Sequence, residues 1–233
     1  MNKINVFEIK VKVYLRKKLS VDDSLQEVTK FIDSCLCKNE LMQEWHYKQE
    51  FKLYSHDNLF PIPQDKEYKG DNNYTFTIRT VDSNFAKYLN ENLYNQRTQY
   101  FIGLTTNIRI LPKKVIHKVY TLTSCIIKNE DGYWRNSLSI DEYINRLRIS
   151  SIRKLNQFIV EKIDEDILFL EKITFRNKLP VKFKMKDVNL LGDQLEIIVP
   201  NNSISQDLYY FLLGVGLGEL SSRGAGFLNY RWY

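Results

Sequence analysis

Hydrophobic and polar residues alternate through residues 3–15, where Ile4, Val6, Ile9, Val11, Val13 and Leu15 are interleaved with Lys10, Lys12 and Tyr14. That period predicts a strand with one buried face. The period then changes. Leu25, Val28, Phe31, Ile32, Cys35 and Leu36 recur at helical spacing behind Ser20 and Asp23, an N-terminal capping signal. Strand-like segments follow over 50–55 and 74–81. Asp82-Ser83 then caps a second amphipathic helix through Phe85, Ala86, Leu89 and Leu93, and a strand is predicted over 100–111. The order β-α-β-β-α-β within about 110 residues is that of a ferredoxin-like domain.

The second half repeats the order of elements, though not the sequence. A strand is predicted over 115–128, and Ser139 with Glu142 forms a capping box for a helix through Tyr143, Ile144, Leu147, Ile152, Leu155 and Ile159. One or two strands lie over 173–188 around Pro180, and another over 193–199. A short helix runs from Asn202-Ser203 through Leu208, Phe211 and Leu212 to Gly214, and the chain closes on a strand over 227–233. Pro112 with Lys113-Lys114 marks a boundary. The expectation is an α+β chain of two tandem ferredoxin-like domains, residues 1–112 and 113–233.

Composition narrows the function. The 233 residues are 43% hydrophobic and 27% charged, enough for a packed core and against wholesale disorder. Lys and Arg total 34 against 28 acids, a net charge of +6 that fits a nucleic-acid or anionic partner. No apolar run approaches the roughly 18 residues of a membrane span, so no membrane partner is expected. The N-terminus lacks an uninterrupted apolar segment, and Cys35, Cys37 and Cys125 do not make a disulfide framework. The expected compartment is the cytoplasm. No cofactor is expected, and no acidic cluster at ligand spacing stands out to favour a metal-dependent nuclease.

Glycine carries the sharpest local signal. The protein has nine, and five of them fall in the thirteen positions from 214 to 226: Gly214, Gly216, Gly218, Gly224 and Gly226. A dinucleotide fingerprint starting at Gly214 fails at Glu219, and a P-loop fails for want of Lys-Ser or Lys-Thr. Amides left free by such a loop would form a concavity for phosphates. A tight connection between the last helix and the sheet is the plainer alternative. Arg223-Gly224-Ala225-Gly226-Phe227-Leu228-Asn229-Tyr230 is close to an RNA-recognition strand signature, with alanine where an aromatic is expected.

At these residues the chain resembles a family. A short helix, then Gly216-x-Gly218-Glu219-x-x-Ser222-x-Gly224-x-Gly226-Phe227 and a final strand, looks like the C-terminal glycine-rich motif of the RAMP superfamily of CRISPR-associated proteins. The segment from His46 through Lys52 to Tyr54-Ser55 is similar to the branch that cuts CRISPR precursor transcripts within their repeats, the Cas6 type. Val119-Tyr120-Thr121-Leu122-Thr123-Ser124 looks like the strand opening that family's second domain. The resemblance implies two ferredoxin-like domains and metal-independent cleavage of repeat RNA. The ribose 2′-hydroxyl would attack the adjacent phosphate, leaving 2′,3′-cyclic phosphate and 5′-hydroxyl ends. It implies precursor crRNA as partner, with other CRISPR effector subunits beside it, and leaves monomer and homodimer open. His46 matches the acid/base position and Lys52 the electrostatic stabiliser. The tyrosine that the family often adds in the first helix is replaced here by Phe31, and Tyr47 is a substitute by proximity alone.

For RNA contact the candidates are Gly214, Gly216, Gly218, Ser222, Arg223, Gly224 and Gly226 of the loop, together with Arg176, Lys178, Lys182, Lys184 and Lys186. The last three share one face of a strand, as phosphate contacts or as a solvated edge. Arg146, Arg148, Arg153 and Lys154 extend this surface or pair with local acids. His56 is expected in an exposed loop and His117 on a strand. The alternative function is a non-catalytic RAMP subunit that binds guide RNA, with His46 a packing residue.

Overall fold

The computed structural model describes residues 4–185 and 188–233. Its first half is built on β1 (Phe7–Leu15), α1 (Val21–Leu36), α2 (Glu40–Tyr47), β2 (Tyr54–His56), β3 (Asn72–Thr80), α3 (Ser83–Asn92) and β4 (Phe101–Ile110). The strands form an antiparallel sheet in the order β2-β3-β1-β4. The alternation in β1 sorts its faces as expected. Ile9, Val11, Val13 and Leu15 are buried among Phe31, Ile32, Phe85 and Leu89 of the two crossing helices. Glu8 points to the opposite face, where its carboxylate pairs with Arg79 and Arg109 at 2.8 and 2.6 Å. Both helix starts are capped where the sequence places them. Ser20 Oγ accepts the Asp22 amide at 3.1 Å, and Asp82 Oδ1 accepts the amides of Asn84 and Phe85 at 2.8 and 3.1 Å.

The second half comprises β5 (Ile116–Thr121), α4 (Ile140–Phe158), β6 (Lys172–Phe175), a hairpin of β7 (Val181–Met185) and β8 (Val188–Gly192), β9 (Leu195–Ile198), α5 (Ser203–Val215) and β10 (Leu228–Trp232). Its sheet runs β10-β5-β9-β6. Leaving the hairpin aside, both sheets have their strands in the order 2-3-1-4 with a helix after the first and third, so each unit is ferredoxin-like. The capping box of α4 forms in full, Ser139 Oγ accepting the Glu142 amide at 3.2 Å and Glu142 Oε2 the Ser139 amide at 2.7 Å. Buried Asp193 fastens the hairpin's exit, accepting from Tyr133, Trp134, Arg135 and Asn177 at 2.6–3.2 Å.

The units are packed together. Ile4, Val6, Val81 and Leu111 of the first half are buried in the core of the second, beside Tyr210 and Leu213 of α5. Tyr210 donates to the Leu111 carbonyl at 2.6 Å. Arg79 extends from β3 to the Leu228 carbonyl at 2.6 Å and lies over the Phe227 ring at 4.6 Å. Among the described residues no helix is long and apolar enough to cross a membrane.

Two expectations about elements are corrected, and one strand is added. The strand expected over 50–55 is confined to Tyr54–His56, because residues 50–53 wrap over α2 and α4. The long strand expected over 115–128 stops at Thr121, and Cys125 and Ile126 then bridge to Asp193 and Glu219. The arm β8 was not expected as a strand of its own, since its sequence lacks alternation.

Candidate functional site

Helix α2 starts at Asn39, whose Oδ1 accepts the Met42 amide at 3.1 Å, and packs through Met42 and Trp45 on the first core. The Trp45 ring lies 5.0 Å from Phe85 and 6.3 Å from Tyr54. One residue further on, His46 turns to α1, with Nδ1 3.8 Å from Asp33 Oδ1. The other oxygen of that carboxylate, Oδ2, takes an ion pair from Arg223 of the glycine-rich loop. Lys52 folds back under the end of α2, donating to the carbonyls of Trp45 and Lys48 while its ammonium sits 4.7 Å over the Trp45 ring. His46 and Arg223 thus converge from two segments on one carboxylate, with the Lys52 charge beside the imidazole. Burial lowers the His46 pKa below its ordinary value; Asp33 opposes this, while Arg223 and Lys52 add to it. Burial also lowers the Lys52 pKa, with the charges of Lys48 and Arg223 adding against Glu50.

The loop docks on one face of α1. Leu25, Thr29 and Asp33 stand four residues apart and share a face. Leu25 and His56 touch the space where a Cβ at Gly224 would lie, at 2.6 and 2.7 Å, and Gly224 has φ +91°. A side chain there would be strained and would push the loop off the helix. Thr29 Oγ1 lies 3.2 Å from the Arg223 carbonyl and 3.0 Å from His56 Nε2. Gly226 serves closure of the loop itself, since a Cβ would sit 1.9 Å from the Leu217 carbonyl.

The cradle of free amides expected from the glycine spacing does not form. Gly214, Gly216, Gly218, Gly224 and Gly226 are all buried. The amides of Gly216, Gly224 and Gly226 donate to Leu212, Ser221 and Ser124 at 2.8–3.0 Å. The loop points carbonyls inward instead, and Lys154 of α4 occupies that interior. Its Nζ is 3.0 Å from Gly216 O, 2.6 Å from Gly218 O and 3.0 Å from Ser221 Oγ. Expected at the surface, Lys154 is fully buried, and burial lowers its pKa to about 8. Ser222 and Arg223 remain partly accessible on the outer edge. A cleft of about 270 Å³ opens between that edge and residues 50–52, lined by Glu50, Lys52, Lys128, Ser221 and Ser222, with Lys154 at its floor. A second groove of about 440 Å³ carries Arg146 and Arg153, with Phe51 and Glu219 common to both.

No family model matches the sequence, and no curated protein is similar enough to count as a relative. Solved structures do match over the whole length. One described as CRISPR associated protein Cas6 is 18% identical, covers 97% of this chain and 99% of its own, and has a TM-score of 0.70. A RAMP protein described as binding different RNA substrates is 15% identical, with coverages of 97% and 99% and a TM-score of 0.71. A Cas6 product complex is 16% identical, with the same coverages and a TM-score of 0.63. The fold is that of Cas6 and RAMP structures.

Within this Cas6-type fold the remaining candidates separate. Tyr47 is exposed, its ring 5.6 Å from that of His46. Phe31 is buried between Phe76 and Phe101, at 6.1 and 5.8 Å, on the core side of α1 and turned from Asp33. Lys182 and Lys184 share the exposed face of β7, and Lys184 pairs with Asp23 at the start of α1. Arg176 and Lys178 are exposed beyond β6, with Arg176 5.4 Å over the Tyr120 ring. None of these four lines the cleft; Lys186 lies outside the described residues. On α4, Arg148 and Arg153 pair with Asp166 and Glu165 at 3.8 and 3.4 Å. His56, expected in an exposed loop, is buried on β2, and burial pushes its pKa down to about 4. His117 is half-buried on β5, its ring 4.7 Å from Tyr233.

Asp33 and Thr29 were missed by the sequence reading. A polar residue every fourth position of an amphipathic helix reads as solvated surface, and only the docked loop shows otherwise. The polar, half-buried face of the second sheet was missed too. There Tyr120 pairs with Glu196 and Asn229, and Lys118 with Arg231, in register.

Proposed function

We propose that this chain is a CRISPR repeat-RNA endoribonuclease, cutting precursor crRNA in the cytoplasm by metal-independent attack of a ribose 2′-hydroxyl on the adjacent phosphate. The observation that carries this reading is the convergence of His46, Lys52 and Arg223 at a cleft between the two units that Lys52 and Lys128 line beside Glu50 and Glu219; we divide the units at residues 112 and 113. The reaction removes a proton from the 2′-oxygen, forms the 2′-O–P bond, breaks the P–O5′ bond and delivers a proton to the departing 5′-oxygen. An imidazole suits either transfer, because both of its protonation states are accessible near neutrality. A pKa held below the ordinary value keeps more of the ring in the basic form. Lys52 and Arg223 supply positive charge against the phosphorane that develops.

RNA would lie along the cleft and the neighbouring groove, over Lys128, Arg146, Ser222 and Arg223, and Lys178, Lys182 and Arg176 would add phosphate contacts outside it. The polar face around half-buried Tyr120, with exposed Arg231, offers stacking and charge to unpaired nucleotides. The position of Phe31 favours a second reading, a guide-RNA-binding RAMP subunit, because the hydroxyl common in the family's first helix is absent. Incubation with repeat RNA in EDTA separates the two. Cleavage to 2′,3′-cyclic phosphate and 5′-hydroxyl ends is the expected result. Tight binding without cutting supports the second reading, and cutting only with added metal rejects both.

A further inference from the structure

Asp33 faces two partners, Arg223 and His46, and only one of its oxygens is satisfied. Oδ2 pairs with Arg223. Oδ1 is buried without a hydrogen-bond partner among the described residues, and so is His46 Nδ1, the atom it faces at 3.8 Å. Two buried polar atoms left bare and facing each other are uncommon in folded proteins, where such groups are otherwise paired. A small inward turn of the imidazole brings them to hydrogen-bond distance, and catalytic hydrogen bonds are often long before substrate binds.

We propose that Asp33 is the positioning residue of this site: Arg223 fixes its carboxylate through Oδ2, and Oδ1 accepts the Nδ1 proton of His46, leaving Nε2 as the atom that exchanges protons with RNA. The inference rests on the nuclease reading above and adds to it the residue that sets the tautomer. It also gives Arg223 a second task. The guanidinium comes from the second unit and the imidazole and carboxylate from the first, so the tautomer is set only when the two are docked. The charged and titratable groups around His46 are Asp33 on α1, Arg223 on the loop, Lys52 after α2 and Tyr47 on its own helix. Asp33 is the only acid among these four.

The test compares the full-length protein with Asp33→Ala, Asp33→Asn and Asp33→Glu, each checked for folding by thermal melting. Nitrogen-15 NMR of His46 without RNA reads the tautomer and the titration directly. The expected result is that Asp33→Ala loses the Nδ1–H preference and titrates at lower pH. Asp33→Asn should keep the tautomer and still titrate lower, because an amide oxygen accepts the hydrogen bond without carrying charge. In single-turnover cleavage Asp33→Ala should lose on the order of tenfold or more with RNA affinity unchanged. Asp33→Glu should recover part of that loss. An unchanged His46 tautomer and titration in both Asp33→Ala and Asp33→Asn overturns the proposal, as does normal cleavage by Asp33→Ala. If the unaltered protein cuts no RNA, the nuclease reading fails, while the NMR comparison still decides whether Asp33 sets the imidazole.

Discussion

The inside and the outside of the glycine-rich loop make opposite use of cations. Inside, Lys154 is fully buried and has three oxygen acceptors within 3.0 Å. Outside, Arg223 and Lys52 are partly accessible, crowd one imidazole, and leave Asp33 Oδ1 and His46 Nδ1 bare. A buried unsatisfied polar atom costs about 1–3 kcal/mol. The interior avoids that cost and the outer edge does not. The closed arrangement is a brace, and the open one has the unmet hydrogen-bonding capacity that a reactive site needs. The two lie on either side of a single turn of chain from Gly216 to Arg223.

Substitutions on the two sides should therefore separate activity from stability. The largest effect is expected at His46. Replacement by alanine should slow single-turnover cleavage by about 10²–10⁴-fold, the usual range for a lost general acid or base, with RNA affinity unchanged. Unchanged cleavage would remove His46 from the site. Lys154→Met should behave oppositely, lowering stability in denaturant titrations by roughly 3 kcal/mol, because two buried carbonyls and Ser221 lose their donor. The folded fraction should still cut. A stable but inactive Lys154→Met would move that lysine to the reactive side.

His56, behind the loop, adds a pH dependence. Burial lowers its pKa from 6.5 to about 4, so between those values the unfolded chain binds a proton that the folded chain does not. Stability from this group is full above about pH 6.5 and is lost as pH falls through about 4, an effect on the order of 3 kcal/mol. His56→Gln should flatten that acid limb in denaturation measured from pH 7 to 4. The smallest effect belongs to the exposed strand. Lys182→Ala should leave cleavage at saturating RNA unchanged and reduce the slope of log affinity against log salt by about 1, if the residue meets one phosphate.

The fold was legible because its signals are local. Alternation in β1, the caps at Ser20 and Asp82, and the Ser139–Glu142 box are each set by residues within a few positions of one another. The pairing of His46 with Lys52 was legible only through the resemblance, since nothing in their spacing compels chemistry. What stayed hidden depends on contacts distant in sequence. Asp33 becomes part of the site through Arg223, 190 positions away, and Lys154 becomes a brace through Gly218, 64 positions away. The glycines misled for a related reason: five in a short stretch signal close approach, and the sequence does not say whether a ligand or the protein's own atoms come near. Here Leu217, Leu25 and His56 do.

The nuclease account is tested most directly by one substitution in the RNA. A repeat RNA with a single 2′-deoxynucleotide at the scissile position should bind in EDTA as tightly as the all-ribose strand and remain uncut over a time in which the all-ribose strand is fully cleaved. Cleavage of the deoxy strand at the same phosphate would contradict the account, because the attacking oxygen would then come from somewhere other than the ribose.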